Sequence, residues 1–283
     1  DSYGINGMLK LQQIASDNNW KIHNTQHFTV PKDLAQMDVS EELNVIKKSE
    51  ARIIILNCQA GVARIVLKFA EEKGLLDDGY MWIVTDAVVG NQEEFTEKKV
   101  SKMAWNGMLG TLPSFRNNVD NMYHHYVVQY ERHFKGPGSL DNYDLKQNAF
   151  AAMVYDSVFI FAHALNDYLE QGLGLTEMKI SKQYWDYGKK LFANLTKVDY
   201  NGASRRYTFN STGESQNIKF SIMNFQEDST FKEVGSYEPG FSQMRCEDQN
   251  CSRVQFMGGA DPRNKRGAPL HLGTAGDVSR VAV

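Results

Sequence analysis

The stretch from Ala51 to Asp86 leaves the chain very little topological freedom. Ile53-Ile54-Ile55-Leu56 is a short, continuous apolar run, the pattern of a strand buried on both faces. Val62, Ile65, Val66, Phe69 and Ala70 then fall on one face of a helix, which leaves Arg64, Lys68, Glu71 and Glu72 toward water. Lys73-Gly74 supplies a basic last turn and a glycine stop. Tyr80-Met81-Trp82-Ile83-Val84 reads as a second strand, ending at Thr85-Asp86. Strand, helix and strand of these lengths make a βαβ unit, with parallel strands joined by a right-handed crossover. Ligands of open parallel sheets sit beyond the carboxyl ends of the strands. Asn57, Cys58 and Gln59, with Thr85 and Asp86, are therefore expected to line a cleft.

The flanking sequence extends the same layer. Asp1-Ser2-Tyr3-Gly4 has the character of a turn after a strand, and Ile5, Met8, Leu11 and Ala15 share one side of the helix that follows. Trp20 to Phe28 alternates as a strand. Ser40 is placed to cap a helix with Glu41 and Glu42 in its first turn and Lys47 and Lys48 in its last. The first part of the chain is thus an α/β layer with parallel strands. Met103–Leu112 reads as a further strand, and helical patterns follow over Asn117–Phe134, Ala149–Leu169 and Tyr184–Leu195. Tyr207–Asn210 and Phe220–Phe225 suggest two more strands. The segment Ala149–Leu169 has nearly the length of a bilayer span, but Asp156 lies inside it, and a carboxylate there is costly in lipid. A buried amphipathic helix is expected instead. After Gly240 the sequence turns polar and rich in Gly, Pro and Arg, which predicts a linker with little regular structure.

Composition excludes some partners. A net charge of −3 over 283 residues gives no footprint for nucleic acid or for an anionic membrane surface. Of three cysteines, Cys246 and Cys251 lie in the polar run CEDQNC and are placed to close a small disulfide loop. Cys58 ends an apolar strand and reads as a buried thiol. Sequons at Asn194, Asn210 and Asn250, beside that candidate disulfide, point to a secreted or extracellular setting. The chain opens at Asp1 without a methionine or a signal peptide and reads as a piece of something longer.

No phosphate loop, dinucleotide fingerprint, zinc-protease motif or nucleophile elbow occurs in the sequence. A helix would set His125 and His133 about two turns apart, too far for one ion without other ligands, so no metal site is expected. Asp86 has no second acid, base or nucleophile arranged around it by sequence. A ligand-binding module fits better than an enzyme, with no cofactor.

The D-S-Y-G start, ARIIILNC, VARIVLKFAEEKGL, GYMWIVTD, YDSVFIFAHAL, FNSTGE and SIMNFQ form an ordered series. It resembles the receptor-family ligand-binding region, a bilobed extracellular domain related to type I periplasmic binding proteins, over about Asp1 to Tyr237. The run YMWIVTD, with SIMNFQ followed by FKEVGSY, is most similar to the amino-terminal domain of an ionotropic, NMDA-like glutamate receptor. The resemblance implies an α/β bilobed fold, parallel sheets flanked by helices, with the first lobe incomplete. Residues 1–111 would belong to the second lobe, 112–182 to a helical segment returning to the first, 183–240 to the second again, and 241–283 to a polar linker. The implied function is ligand sensing or modulation on the extracellular face of the plasma membrane, in an oligomer with other receptor subunits. Membrane attachment would come only through parts of a longer protein. A class C G-protein-coupled receptor, a receptor guanylate cyclase or a solute-binding protein are the alternatives.

In class C amino-acid receptors, the Tyr of the D-x-Y-G turn and the Asp ending the W-I-x-x-D strand contact the ligand amine. These match Tyr3 and Asp86, and an aromatic face with a carboxylate suits an ammonium group. The implied ligand is a small, amino-acid-like molecule, with Asn57 and Gln59 beside it. The helix Ala149–Leu169 carries Phe150, Val154, Val158, Phe161 and Leu165 as a face for the incomplete first lobe. It is expected to leave apolar surface in water.

Overall fold

In chain order, α1 (Ser2–Asp17) leads to β1 (Ile22–Asn24), and a 3-10 turn at Leu34–Gln36 precedes α2 (Ser40–Lys48). Then come β2 (Ile53–Leu56), α3 (Ala60–Glu72), β3 (Met81–Val84), α4 (Asp86–Val89) and β4 (Leu109–Pro113). Helices α5 (Asn121–Phe134), α6 (Ala149–Glu170) and α7 (Gly188–Leu195) follow, with the short strands β5 (Tyr200–Asn201) and β6 (Arg206–Tyr207). The hairpin β7 (Phe220–Phe225) and β8 (Phe231–Tyr237) and a last strand, β9 (Val281–Ala282), complete the order. This computed structural model describes residues 2–49, 51–77, 79–91, 105–114, 121–134, 149–172, 188–216, 218–238, 254–255, 257 and 281–282, with Ser2 and Tyr3 as backbone. Two compact units result, one of Asp1–Leu112 with Phe220–Val283, the other of Pro113–Lys219.

The first unit is built on a seven-stranded sheet of order β1-β9-β2-β3-β4-β7-β8. The strands from β1 to β4 pair in parallel, and the β7–β8 hairpin is antiparallel. β2 and β3 are in register from Ile53 opposite Met81 to Leu56 opposite Val84. Ile54 and Leu56 are buried in the main core with Val62, Val66, Leu67, Trp82 and Val84. The other face of β2, Ile53 and Ile55, is covered by Met8 and Leu11 of α1 and is only partly buried.

Helix α3 connects the pair and stops as its sequence suggests. Gly74 takes φ +67, and its N–H donates to Glu71 O at 2.9 Å while the Leu75 N–H donates to Ala70 O at 2.9 Å. This paired arrangement satisfies carbonyls that the helix end would otherwise strand, and it needs a residue tolerant of the left-handed region. The returning chain is then fastened by Trp82, whose buried indole Nε1–H donates to Leu75 O at 2.9 Å.

One local expectation is corrected. Val39, not Ser40, occupies the cap of α2 and offers no side-chain bond. Asp38 does that work from outside the helix, accepting from Ser40 N at 2.8 Å, and its hydrogen bonds to Ser40 hold its carboxyl below the ordinary value. The few described residues after Gly240 contact the sheet. Asn224, buried in β7, accepts from Gln255 N at 2.8 Å and donates to Gln255 O and Met108 O at 3.2 Å each. Met257 enters the main core, and β9 pairs between β1 and β2. A side-chain amide here takes the part of a strand neighbour, with both its donor and its acceptor used.

The second unit packs α6 against α7 and the β5–β6 pair. Ala152, Asp156, Ile160, Ala164 and Tyr168, four residues apart, form the buried face of α6. Ile160, Ala164 and Tyr168 share a core with Leu191, Val198, Tyr200 and Tyr207. The unit runs from Pro113 to Lys219. The two ends of the unit meet, Ser114 N donating to Lys219 O at 2.7 Å.

Asp156 has no solvent exposure. Its carboxylate accepts from Ala203 N at 2.6 Å, Ser204 N at 2.8 Å and Ser204 Oγ at 2.5 Å. Burial raises its pKa, and these hydrogen bonds pull it back only in part. The outer face of α6 is the reverse, with Val154, Val158 and Phe161 at 66%, 64% and 48% exposure. Leu165, expected beside them, packs instead on the core of the unit. Among the described residues no helix is long and apolar enough to cross a membrane, and none form a metal-binding group.

Replacing Asp156 with Ala would leave two buried amides unpaired, a loss of roughly 2–4 kcal/mol in denaturant unfolding. Because the folded pKa lies above the unfolded one, the stability that Asp156 contributes is greatest below the ordinary carboxylate range and falls as pH rises through the folded value. The advantage of the native chain over Asp156→Asn should therefore shrink over that window. Separately, Val154→Lys with Val158→Glu should lower the fluorescence of a bound anilinonaphthalene sulfonate without moving the unfolding midpoint. An unchanged signal would place the dye elsewhere.

Candidate functional site at the carboxyl edge of the parallel sheet

Parallel pairing brings the ends of β2 and β3 to the same edge, so the residues that follow each strand become neighbours in the sheet order. Asn57, Cys58 and Gln59 follow β2, and Thr85 and Asp86 follow β3. Asp86 is the first residue of α4 and half-buried. A carboxylate there interacts favourably with the positive end of the helix. Gln59 is exposed at the cap of α3 and makes no side-chain cap bond. Tyr3 lies in the first turn of α1, its side chain outside the described residues.

Asn57 is held from two sides of the sequence. Its Nδ2 donates to Gly4 O in α1 at 3.2 Å, across 53 residues of chain. The approach is possible because Gly7 carries no side chain, since a Cβ there would stand 2.0 Å from that same Nδ2. The amide of Asn57 therefore tethers the start of α1, and Tyr3 with it, to the end of β2. Gly110 in β4 acts in a comparable way, because a Cβ would lie 2.4 Å from Val89 Cγ2. Its bare backbone lets α4 settle against the sheet and so sets the height of Asp86.

The groups at this edge offer hydrogen bonds and one negative charge. Cys58 is buried, and burial pushes its thiol up to about 12, so it stays protonated and unreactive. Thr85 Oγ1 is buried without a hydrogen-bond partner among the described residues. The edge thus combines a carboxylate, an exposed amide and a hydroxyl with unused capacity. The sequence pattern places Asn57 and Thr85 at the strand ends but does not show the tether from Asn57 to α1. The spacing of Gly4 and Gly7 on one helix face was the signal that something approaches closely. Cys246, Cys251 and Asn250 lie outside the described residues.

Gly7→Ala should cost about 1–3 kcal/mol by overpacking and release α1 from the end of β2. In an Asn57→Ala background the penalty should fall, a coupling that a double-mutant cycle in urea would read.

Residues 1–228 match the model of the receptor family ligand binding region. Glutamate receptor 2.9 of Arabidopsis thaliana is 23% identical over 69% of this chain and 21% of its own length. Glutamate receptor 2.2 of the same plant is 22% identical over 79% and 24%. The human glutamate receptor ionotropic, kainate 5 is 24% identical over 66% and 18%. The chain therefore spans about a quarter or less of these relatives. The family match runs over most of the α/β sequence, including every residue of the sheet edge described above, and this chain belongs to the receptor family ligand binding region.

Proposed function

We propose that this chain is the extracellular ligand-sensing or modulatory region of a cell-surface receptor of the ionotropic glutamate receptor kind, working in an oligomer with other subunits. The observation that carries the reading is the family match over residues 1–228, joined to the three relatives above, each named as a glutamate receptor. Those names favour the channel reading over a class C receptor, a guanylate cyclase or a solute-binding protein. As in the expected lobe scheme, residues 1–111 would form the second lobe.

The ligand is a small α-amino acid or a close analogue. The Asp86 carboxylate receives its ammonium group, the ring of Tyr3 covers the cation, and Gln59 and Thr85 offer hydrogen bonds to its polar end. Asn57 acts chiefly by keeping α1 and Tyr3 in place, since its N–H is already donated to Gly4 O. Binding of this kind needs no reacting group, which agrees with the protonated, buried thiol beside it.

Calorimetric titration of the chain with zwitterionic α-amino acids tests the reading. Asp86→Asn should weaken binding by roughly 10–100-fold, the loss of one charge-assisted hydrogen bond, with unfolding unchanged. Tyr3→Ala should weaken it further. Full affinity in both variants would overturn the site, and heats absent across the whole panel would overturn the ligand class.

A further inference from the structure

Two of the three sequons fall among the described residues, and the fold treats them in opposite ways. Asn194 sits in the last turn of α7 at 4% exposure, its Oδ1 accepting from Gln171 Nε2 at 3.1 Å. Thr196 Oγ1 donates to Ala193 O at 3.1 Å, so the hydroxyl of that sequon is engaged with the helix end. Asn210 lies instead in a tight turn flanked by the antiparallel bridge between Phe209 and Ser215. The turn is closed by Asn210 N donating to Glu214 O and Gly213 N to Asn210 O, at 3.0 Å each, and Ser211 and Thr212 are exposed on it.

The amide of Asn210 is also polarised at both ends. Its Oδ1 accepts from Thr212 Oγ1 at 2.7 Å, Thr212 N at 3.0 Å and Glu214 N at 2.8 Å. Its Nδ2 donates to Glu214 Oε2 at 2.8 Å. Donors on the oxygen and a carboxylate on the N–H both draw the amide toward its more nucleophilic imidic form. A helical, buried amide such as Asn194 has neither access nor this polarisation.

We propose that Asn210 is an N-glycosylation site of the folded protein and that Asn194 is not one. In the transfer, Nδ2 forms a bond to the anomeric carbon of an oligosaccharide carried on a lipid pyrophosphate. The bond from that carbon to the phosphate oxygen breaks, the lipid pyrophosphate leaves with the electron pair, and Nδ2 gives up one proton to base. The acceptor geometry does not depend on ligand recognition. Its use in the cell rests on the extracellular location proposed above.

The test removes that dependence. The purified, folded chain carrying Asn250→Gln is incubated with a single-subunit oligosaccharyltransferase and a lipid-pyrophosphate sugar donor, then mapped by glycopeptide mass. One glycan is expected, on Asn210, lost in Asn210→Gln and in Thr212→Ala and retained in Asn194→Gln. Glu214→Gln should slow the transfer. Short peptides covering residues 188–200 and 207–216 should both be modified, which shows that the fold makes the choice. Modification of Asn194 in the folded chain would overturn the proposal. So would an unmodified Asn210 in the folded chain when its peptide accepts the sugar.

Discussion

Parallel strands exchange slanted hydrogen bonds and cannot be joined by a tight turn, so each pair demands a crossover of a dozen residues or more. That constraint governs the first unit. It requires α3 between β2 and β3, and it requires α3 to end where the chain can double back onto the sheet. The left-handed Gly74 and the bond from Trp82 to Leu75 O meet this second need. It also brings the carboxyl ends of β2 and β3 to one edge, which is why residues as far apart as Asn57 and Asp86 share a locality. The candidate site is thus a by-product of how parallel strands are connected.

The parts of the fold that were legible are those written in a few consecutive residues. The run from Ile53 to Leu56, the glycine after Lys73 and the strand around Trp82 carry their own periodicity and punctuation, and the observed elements fall on them. The start of α2 was less legible because Ser40 and Asp38 are both good helix-start residues, and only backbone geometry decides which one accepts the bond. The strand near Leu109 was foreseen, while its service to Val89 through Gly110 was not. Composition records only the average of a segment. Asn224 and Met257 act singly, and a single buried amide leaves no trace in an average.

The site follows the same division. The strand-end positions of Asn57, Gln59, Thr85 and Asp86 came from pattern alone. What fixes Asn57 is a contact with Gly4 and Gly7 across a long stretch of chain, and no local pattern encodes a partner at that distance. The two units also differ in kind. The first is held by an apolar core around Trp82 and Trp105. The second adds to its apolar core a buried carboxylate that accepts three hydrogen bonds.

The meeting of Ser114 and Lys219 has a kinetic meaning. β4 and β7 are neighbours in one sheet, yet the whole of Pro113–Lys219 is threaded between them. Closing a flexible loop of that length would set an entropic barrier of roughly 4 kcal/mol. A second unit that has already folded, with its ends joined at 2.7 Å, presents the sheet with a connection hardly longer than a hairpin turn. An inserted unit that forms first would thereby ease the closing of the far edge of the sheet. A substitution that loosens the Asp156 cluster would then slow the closing of a sheet to which it contributes no residue.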